Sequence, residues 1–175
     1  MIIIEGIVGT GKTELYNALK ANGMHDIQYN RDQNETEFYK KYTSIDLSST
    51  DNAVKSQSFI SEMAKGEIVH GQCRLTMEQY ENLLRYHSTF GAFVVYLKAD
   101  KETLLTRRLR DTQNYPLIGM KYEFINDQYD MVMDVASRHL RVMEIDTTKT
   151  STQEIIDQIN KFYHPTQKDR HMWTL

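Results

Sequence analysis

Residues Gly6-Ile7-Val8-Gly9-Thr10-Gly11-Lys12-Thr13 match G-x-x-x-x-G-K-[ST] without a mismatch. Three of the eight glycines of the chain fall within these few positions. A chance match arises in roughly one chain of this length in a few hundred. The setting sharpens it. Residues 1–4 are a short apolar run rich in β-branched side chains, which reads as a buried strand. Residues 12–21 carry Leu15, Ala18 and Leu19 at helical spacing, and Gly23 can end that helix. A glycine-rich turn between a buried strand and a helix has a physical use. Its glycines let the backbone approach a phosphate closely, and successive N–H groups converge on one anion. The positive end of the helix dipole faces the same point. Gly6, Val8, Gly9, Thr10, Gly11, Lys12 and Thr13 are therefore expected to bind a nucleotide. Lys12, read as facing solvent at the loop, reaches the β- and γ-phosphates of ATP, and the Thr13 hydroxyl ligates Mg²⁺.

The rest of the chain alternates in the same way. Residues 26–30 are a weak second strand, and 35–47 and 50–65 read as helices. The second of these has Thr50 or Asp51 as cap, an approximate stripe of Val54, Ser58, Ile60 and Met63, and Gly66 as stop. Residues 67–70 are a short strand candidate and 75–89 a helix. The clearest later strand is Ala92–Leu97, AFVVYL. A helix over 101–110, a loop over 115–119 with Pro116, a helix over 122–137, a strand over 140–145 and a helix over 151–162 follow. Residues 164–175 read as a loose tail after a domain of residues 1–163. Five strand–helix repeats predict an α/β fold of three layers, the P-loop NTPase type: a five-stranded parallel sheet with helices on both faces. Functional residues then belong at the carboxyl ends of the strands.

Composition narrows the class. With 175 residues the chain fits one domain of the usual 100–200 residues or so. One cysteine, Cys73, excludes an internal disulfide and a four-cysteine zinc site, and it reads as an unreactive thiol. A net charge of −3 argues against a binder of bulk nucleic acid. No apolar run approaches the roughly 20 residues that cross a bilayer. No basic leader precedes the first strand, so a cytoplasmic protein without membrane contact is expected.

The segment IIIEGIVGTGKTEL resembles the opening of the thymidylate kinase and deoxynucleoside kinase family of P-loop kinases, which place Glu-Gly where Glu5-Gly6 stand here. VVYLKADKETLLTRRLR is similar to the family's fourth strand, following helix and arginine-bearing lid. YEFINDQYDMVM is similar to the helix after the lid. VMEIDTTKTSTQEIIDQI is similar to the last strand, the adenine-side loop and the final helix. A small phage-type member fits the length. The resemblance implies a soluble enzyme of deoxynucleotide metabolism with ATP and Mg²⁺ as cofactors and a small nucleoside or nucleotide acceptor; it also allows a homodimer. Two positions depart from the family. The aliphatic Val8 is closer to the deoxynucleoside kinase branch than to thymidylate kinases, which usually have an acid there. The family also has an Asp-Arg pair after its third strand; alignment on Leu75 and Tyr80 puts Gly71 and Gln72 in that place, with Arg74 displaced nearby.

Arg107, Arg108 and Arg110 precede the loop at 112–119, and on a helix Arg107 and Arg110 share a face. The resemblance makes this the lid over the transferring phosphate, with Arg107 and Arg110 catalytic and Arg108 binding nucleotide. The alternative is a solvated basic helix end. Ile68-Val69-His70 ends without the acid of a Walker-B strand, so Glu5 and Asp32 are the candidate carboxylates for Mg²⁺ or general-base work. Arg31 beside Asp32 can meet an acceptor, or the two form a surface turn. Phe38, Tyr39 and Tyr42 line a base pocket or pack in the core. Asp100 is expected to cap the helix at 101–110, and His70 to be structural. The leading expectation is transfer of the γ-phosphate of ATP to a nucleoside or nucleoside monophosphate. A second is a kinase for an unusual hydroxyl, on a modified base in DNA or a DNA precursor. A third is a nucleotide-binding NTPase or switch module with little transferase activity.

Overall fold

The computed structural model describes residues 1–27, 38–45, 50–110 and 117–163; for 108–110 and 117–121 it describes the backbone alone. Five strands form one parallel sheet: β1 (Ile2–Gly6), β2 (His25–Asp26), β3 (Ala53–Ser56), β4 (Phe93–Lys98) and β5 (Arg141–Asp146). The spatial order is β2-β3-β1-β4-β5, so β1 is central, with β3 and β4 as its neighbours. Among the described residues seven helices connect or follow the strands: α1 (Lys12–Ala21), α2 (Phe38–Thr43), α3 (Phe59–His70), α4 (Met77–Ser88), α5 (Lys101–Arg110), α6 (Leu117–Ser137) and α7 (Thr152–Phe162).

Alternating residues of the central strands feed two cores. Ile3, Ala53, Val94 and Tyr96 face α3, α4 and α6 and pack with Phe59, Tyr80, Leu83 and Tyr129. Ile2, Ile4, Val54, Val95 and Leu97 face α1 and α7 and pack with Leu15, Leu19, Ile155, Ile156 and Ile159. A sheet buried on both sides needs apolar residues at consecutive positions, which is why β1 and β4 read as unbroken apolar runs. The expected three-layer fold is thus observed, and α1 and α5 have the expected limits.

Two segments correct the reading. Residues 50–65 are not one helix. Ala53–Ser56 is the third strand, Val54 pairs in register with Ile2, and the helix starts only after Ser58, whose hydroxyl accepts from the N–H of Ile60. Asn52 and Gln57 bracket the strand at φ +51° and +62°, which takes the chain out of helical conformation on both sides. Residues 67–70 are correspondingly no strand but the last turn of α3. Gly66 does not stop the helix; the Glu62 carboxylate lies over it, and Gly71 at φ +76° ends the helix with its N–H on the Glu67 carbonyl.

Smaller shifts concern ends. The second strand is only His25–Asp26, and residues 28–30 of its expected span lie outside the described residues. Of the helix expected at 35–47, Phe38–Thr43 is observed, while 35–37 and 46–47 lie outside. Leu117–Gly119, read as loop, are the first residues of α6. The tail at 164–175 lies outside the described residues.

Candidate nucleotide-binding site

The parallel order brings the carboxyl ends of β1, β3, β4 and β5 to one edge. A cavity of about 610 Å³ opens there. It is lined by residues 8–14, by Gln57 after β3, by Arg107 of α5, and by Thr147, Thr150, Ser151, Thr152 and Ile155 between β5 and the first turn of α7. All seven residues expected to bind nucleotide in the first loop except Gly6 line this cavity. Gly6 lies beneath it. A Cβ there would sit 2.3 Å from the Leu97 carbonyl oxygen, so the turn out of β1 admits glycine only.

The loop closes on itself through Thr10, whose N–H and hydroxyl both donate to the Ile7 carbonyl, at 3.3 and 2.8 Å. Gly11, at φ +87°, leads into α1 without a side-chain cap. Ser58, Thr76 and Ser151 do cap α3, α4 and α7. The first N–H groups of α1 are therefore left for an anion.

Lys12 is placed differently from the expectation. Its side chain is buried, not solvent-facing, and Nζ donates to the carbonyls of Gly6 and Ile7 at 2.7 Å each. Burial, reinforced by the charge of Lys65, holds its ammonium well below the ordinary lysine range, while Glu5 pulls the other way. Thr13 is exposed at the rim of the loop.

Glu5 is corrected as a candidate metal or base carboxylate. It is fully buried beneath the loop. One oxygen accepts from the Ser58 N–H and hydroxyl at 2.7 Å each, the other from the Ser61 hydroxyl, which in turn meets Tyr129 Oη at 3.0 Å. Burial raises its pKa despite these donors. Three of its roughly four acceptor sites are taken in joining β1 to the start of α3.

Arg107 lies across the cavity wall. Nη1 donates to Gly9 O at 3.2 Å and Thr147 Oγ1 at 2.9 Å, and Nη2 to Thr147 O at 2.6 Å. It therefore ties the phosphate loop to the segment after β5. Arg108 and Arg110 belong to α5, but their side chains lie outside what is described, as do residues 111–116 of the expected lid loop. Asp32 and Arg31 lie outside the described residues as well. Asp100 caps α5 as expected, accepting from the Thr103 N–H at 2.6 Å.

Moving the third strand moves the place of the family's Asp-Arg pair. The residues after β3 are Gln57 and Ser58, not Gly71 and Gln72, and neither is an acid or an arginine. Arg74 is turned into the buried Glu62, with which it forms an ion pair, and its guanidinium lies 4.1 Å from the centre of the Phe38 ring. Tyr42 packs in the core against Phe59. His70 ends a helix rather than a strand and lies 3.8 Å from Glu62. Cys73 is half-buried near Met63. Among the described residues no group of three His, Cys, Asp or Glu side chains could hold a metal, and no helix is long and apolar enough to cross a membrane.

Gln57, Thr147 and Ile155 were not singled out from the sequence. The signal for the last two was present in the segment similar to an adenine-side loop. Gln57 lies within the span whose spacing predicts a helix.

A central strand, a phosphate loop and a parallel order of β2-β3-β1-β4-β5 make this a P-loop kinase-like fold. Among solved structures the chain is similar to the YorR protein of Bacillus subtilis in complex with phosphorylated GDP, at 23% identity and a TM-score of 0.69, over 93% of this chain and 98% of that one. It is also similar to deoxyadenosine kinase from M. mycoides with bound dCTP, at 15% identity and a TM-score of 0.57, again over 93% and 98% of the two chains. The same enzyme with bound dATP matches at a TM-score of 0.54 and 15% identity, over 92% and 98%. No protein-family model matches the sequence, and no curated protein does.

Proposed function

We propose that this chain is an ATP-dependent kinase that delivers the γ-phosphate to a nucleoside or nucleoside monophosphate. The observation that carries the reading is an intact phosphate loop, with the uncapped start of α1, opening into a cavity large enough for a nucleotide. In this reading the base lies at the Ile155 end and the phosphates over residues 8–13. Lys12 leaves the Gly6 and Ile7 carbonyls for the β- and γ-phosphates. Thr13, exposed beside the loop, is the side chain that fits Mg²⁺; with Glu5 spent, the phosphate oxygens and water would supply the remaining ligands. The ion would neutralise charge on the transferring group. Arg107, Arg110 and Arg108 are proposed to act over the phosphates, and Asp32 as the carboxylate for Mg²⁺ or general-base work.

The acceptor side favours a second reading. Neither an acid nor an arginine follows β3, so an unusual hydroxyl, on a modified base in DNA or a DNA precursor, remains an alternative acceptor. ATP consumption against deoxynucleosides, deoxynucleoside monophosphates and hydroxylated DNA separates the two. Turnover with small acceptors supports the first reading, turnover with DNA alone the second. ATP hydrolysis with no acceptor phosphorylated overturns both in favour of a switch module.

A further inference from the structure

We infer that Gln57 is the residue that holds the terminal phosphate of the bound nucleotide, and that its strained backbone serves this contact. The inference rests on the phosphotransfer reading above. Gln57 adopts φ +62°, a left-handed conformation that a residue with a Cβ occupies at a cost. Such strain persists only where the surroundings impose it, and here both flanks are fixed. The Gln57 N–H donates to Ile4 O at 3.1 Å, extending the β1–β3 pairing by one residue. The next residue, Ser58, is clamped to Glu5 by its own N–H and hydroxyl. The residue so fixed is exposed and lines the cavity, following β3 while Thr147 follows β5.

The layout of the cavity says which phosphate it meets. Thr147, Thr150 and Ser151 follow β5, which stands on the other side of β1 from β3 in the sheet, and the apolar lining residue Ile155 belongs to the first turn of α7. A base placed there runs its phosphate chain across residues 8–13 toward β3, and Gln57 stands where that chain ends. A carboxamide offers two N–H donors and no charge, so it can grip an oxygen of the terminal phosphate without holding the group back from transfer. An acceptor then approaches from the α3 side, beyond Gln57.

Titration calorimetry with Mg²⁺ and either ADP or the non-hydrolysable ATP analogue AMP-PNP tests this in the full chain. In Gln57→Gly the affinity for AMP-PNP should fall about tenfold while that for ADP stays within twofold. The free variant should also melt a few degrees higher, because glycine takes φ +62° without strain. Gln57→Glu keeps the length and the strain but sets a negative charge against the phosphate, and it should lose more AMP-PNP affinity than the glycine variant. Equal changes for the two nucleotides, no change for either, or a lower melting temperature in Gln57→Gly overturns the inference. If the wild type and Lys12→Ala bind AMP-PNP alike, the parent reading fails instead, and that result is distinct from all of these.

Discussion

Lys12 has work to do before any nucleotide arrives. Its ammonium is the donor for two carbonyls of its own loop, so the free loop is held in a shape close to the one a phosphate needs. Lys12→Ala should therefore do two things. It should lower phosphotransfer by about 10²–10³-fold, the usual cost of one positioned charge at a developing anion. It should also cost about 1–2 kcal/mol of stability by leaving buried carbonyls without their donor. Denaturant melts beside rate measurements separate the two, and more than half the wild-type rate would end the phosphate-loop reading. Glu5 stands one step further in. Glu5→Ala leaves the Ser58 N–H and two hydroxyls without their acceptor in a buried site, so a loss of about 3 kcal/mol is expected in the same melts. The motif marks Lys12 and Thr13 as candidates for a phosphate site. It could not show that Lys12 turns inward when free, since that depends on where two carbonyls point. Nor could it show that Glu5 is consumed by two serines more than fifty residues away in sequence.

Elements long enough to carry a period were legible, and short ones were not. Helix α1 and α5 have the limits that their apolar spacing and caps suggest. Strand β3 has four residues, of which Ala53 and Val54 are buried and Lys55 and Ser56 only half-buried, so it offers no alternation. Val54 stands at helical spacing from Ser58 by coincidence, and the apolar Ile68-Val69 at the end of α3 looked more like a strand. What decided the matter is long-range: Val54 fills the sheet against β1, while the following helix packs on α6. The right number of strands therefore comes with a different third strand, and the residues that follow it are Gln57 and Ser58 rather than Gly71 and Gln72. The element that remains most testable is α5. Arg107 ties it to Gly9 and Thr147 by three hydrogen bonds, so Arg107→Ala should loosen the phosphate loop and the segment after β5 together. Hydrogen exchange should rise at residues 7–11 and 147–150 in the free variant, with weaker nucleotide binding. Unchanged exchange in both stretches would show that the guanidinium is not the tie.

At the scale of the molecule, the three layers respond as one to whatever binds the edge or charges the core. A ligand bound only by the folded form stabilises by about 2.7 kcal/mol at a hundred times its Kd, so Mg·ATP should raise the melting temperature while adenosine, which has no phosphate for the loop, should not. Equal shifts would argue against a phosphate-centred site. Acid should act through His87. This side chain is almost fully buried between α3 and α4, its ring 4.6 Å from that of Phe59, and its Nδ1–H donates to the Leu83 carbonyl at 2.8 Å. Burial lowers its pKa from 6.5 to about 4. In the unfolded chain His87 takes up a proton near pH 6.5, and in the folded chain only near pH 4, so between those values the unfolded state holds more protons. Stability from this residue is thus full above pH 6.5, falls as the pH is lowered to about 4, and falls no further below it; the whole loss is roughly 3 kcal/mol. Glu5 works in the opposite sense, because its raised pKa lets the folded state take up a proton first. The difference between wild type and His87→Phe cancels that contribution and those of the surface carboxylates. Denaturant melts of both proteins from pH 7 to pH 4 should show wild type losing stability relative to the variant across the interval; a constant difference would mean that His87 is protonated in the fold or does not titrate there.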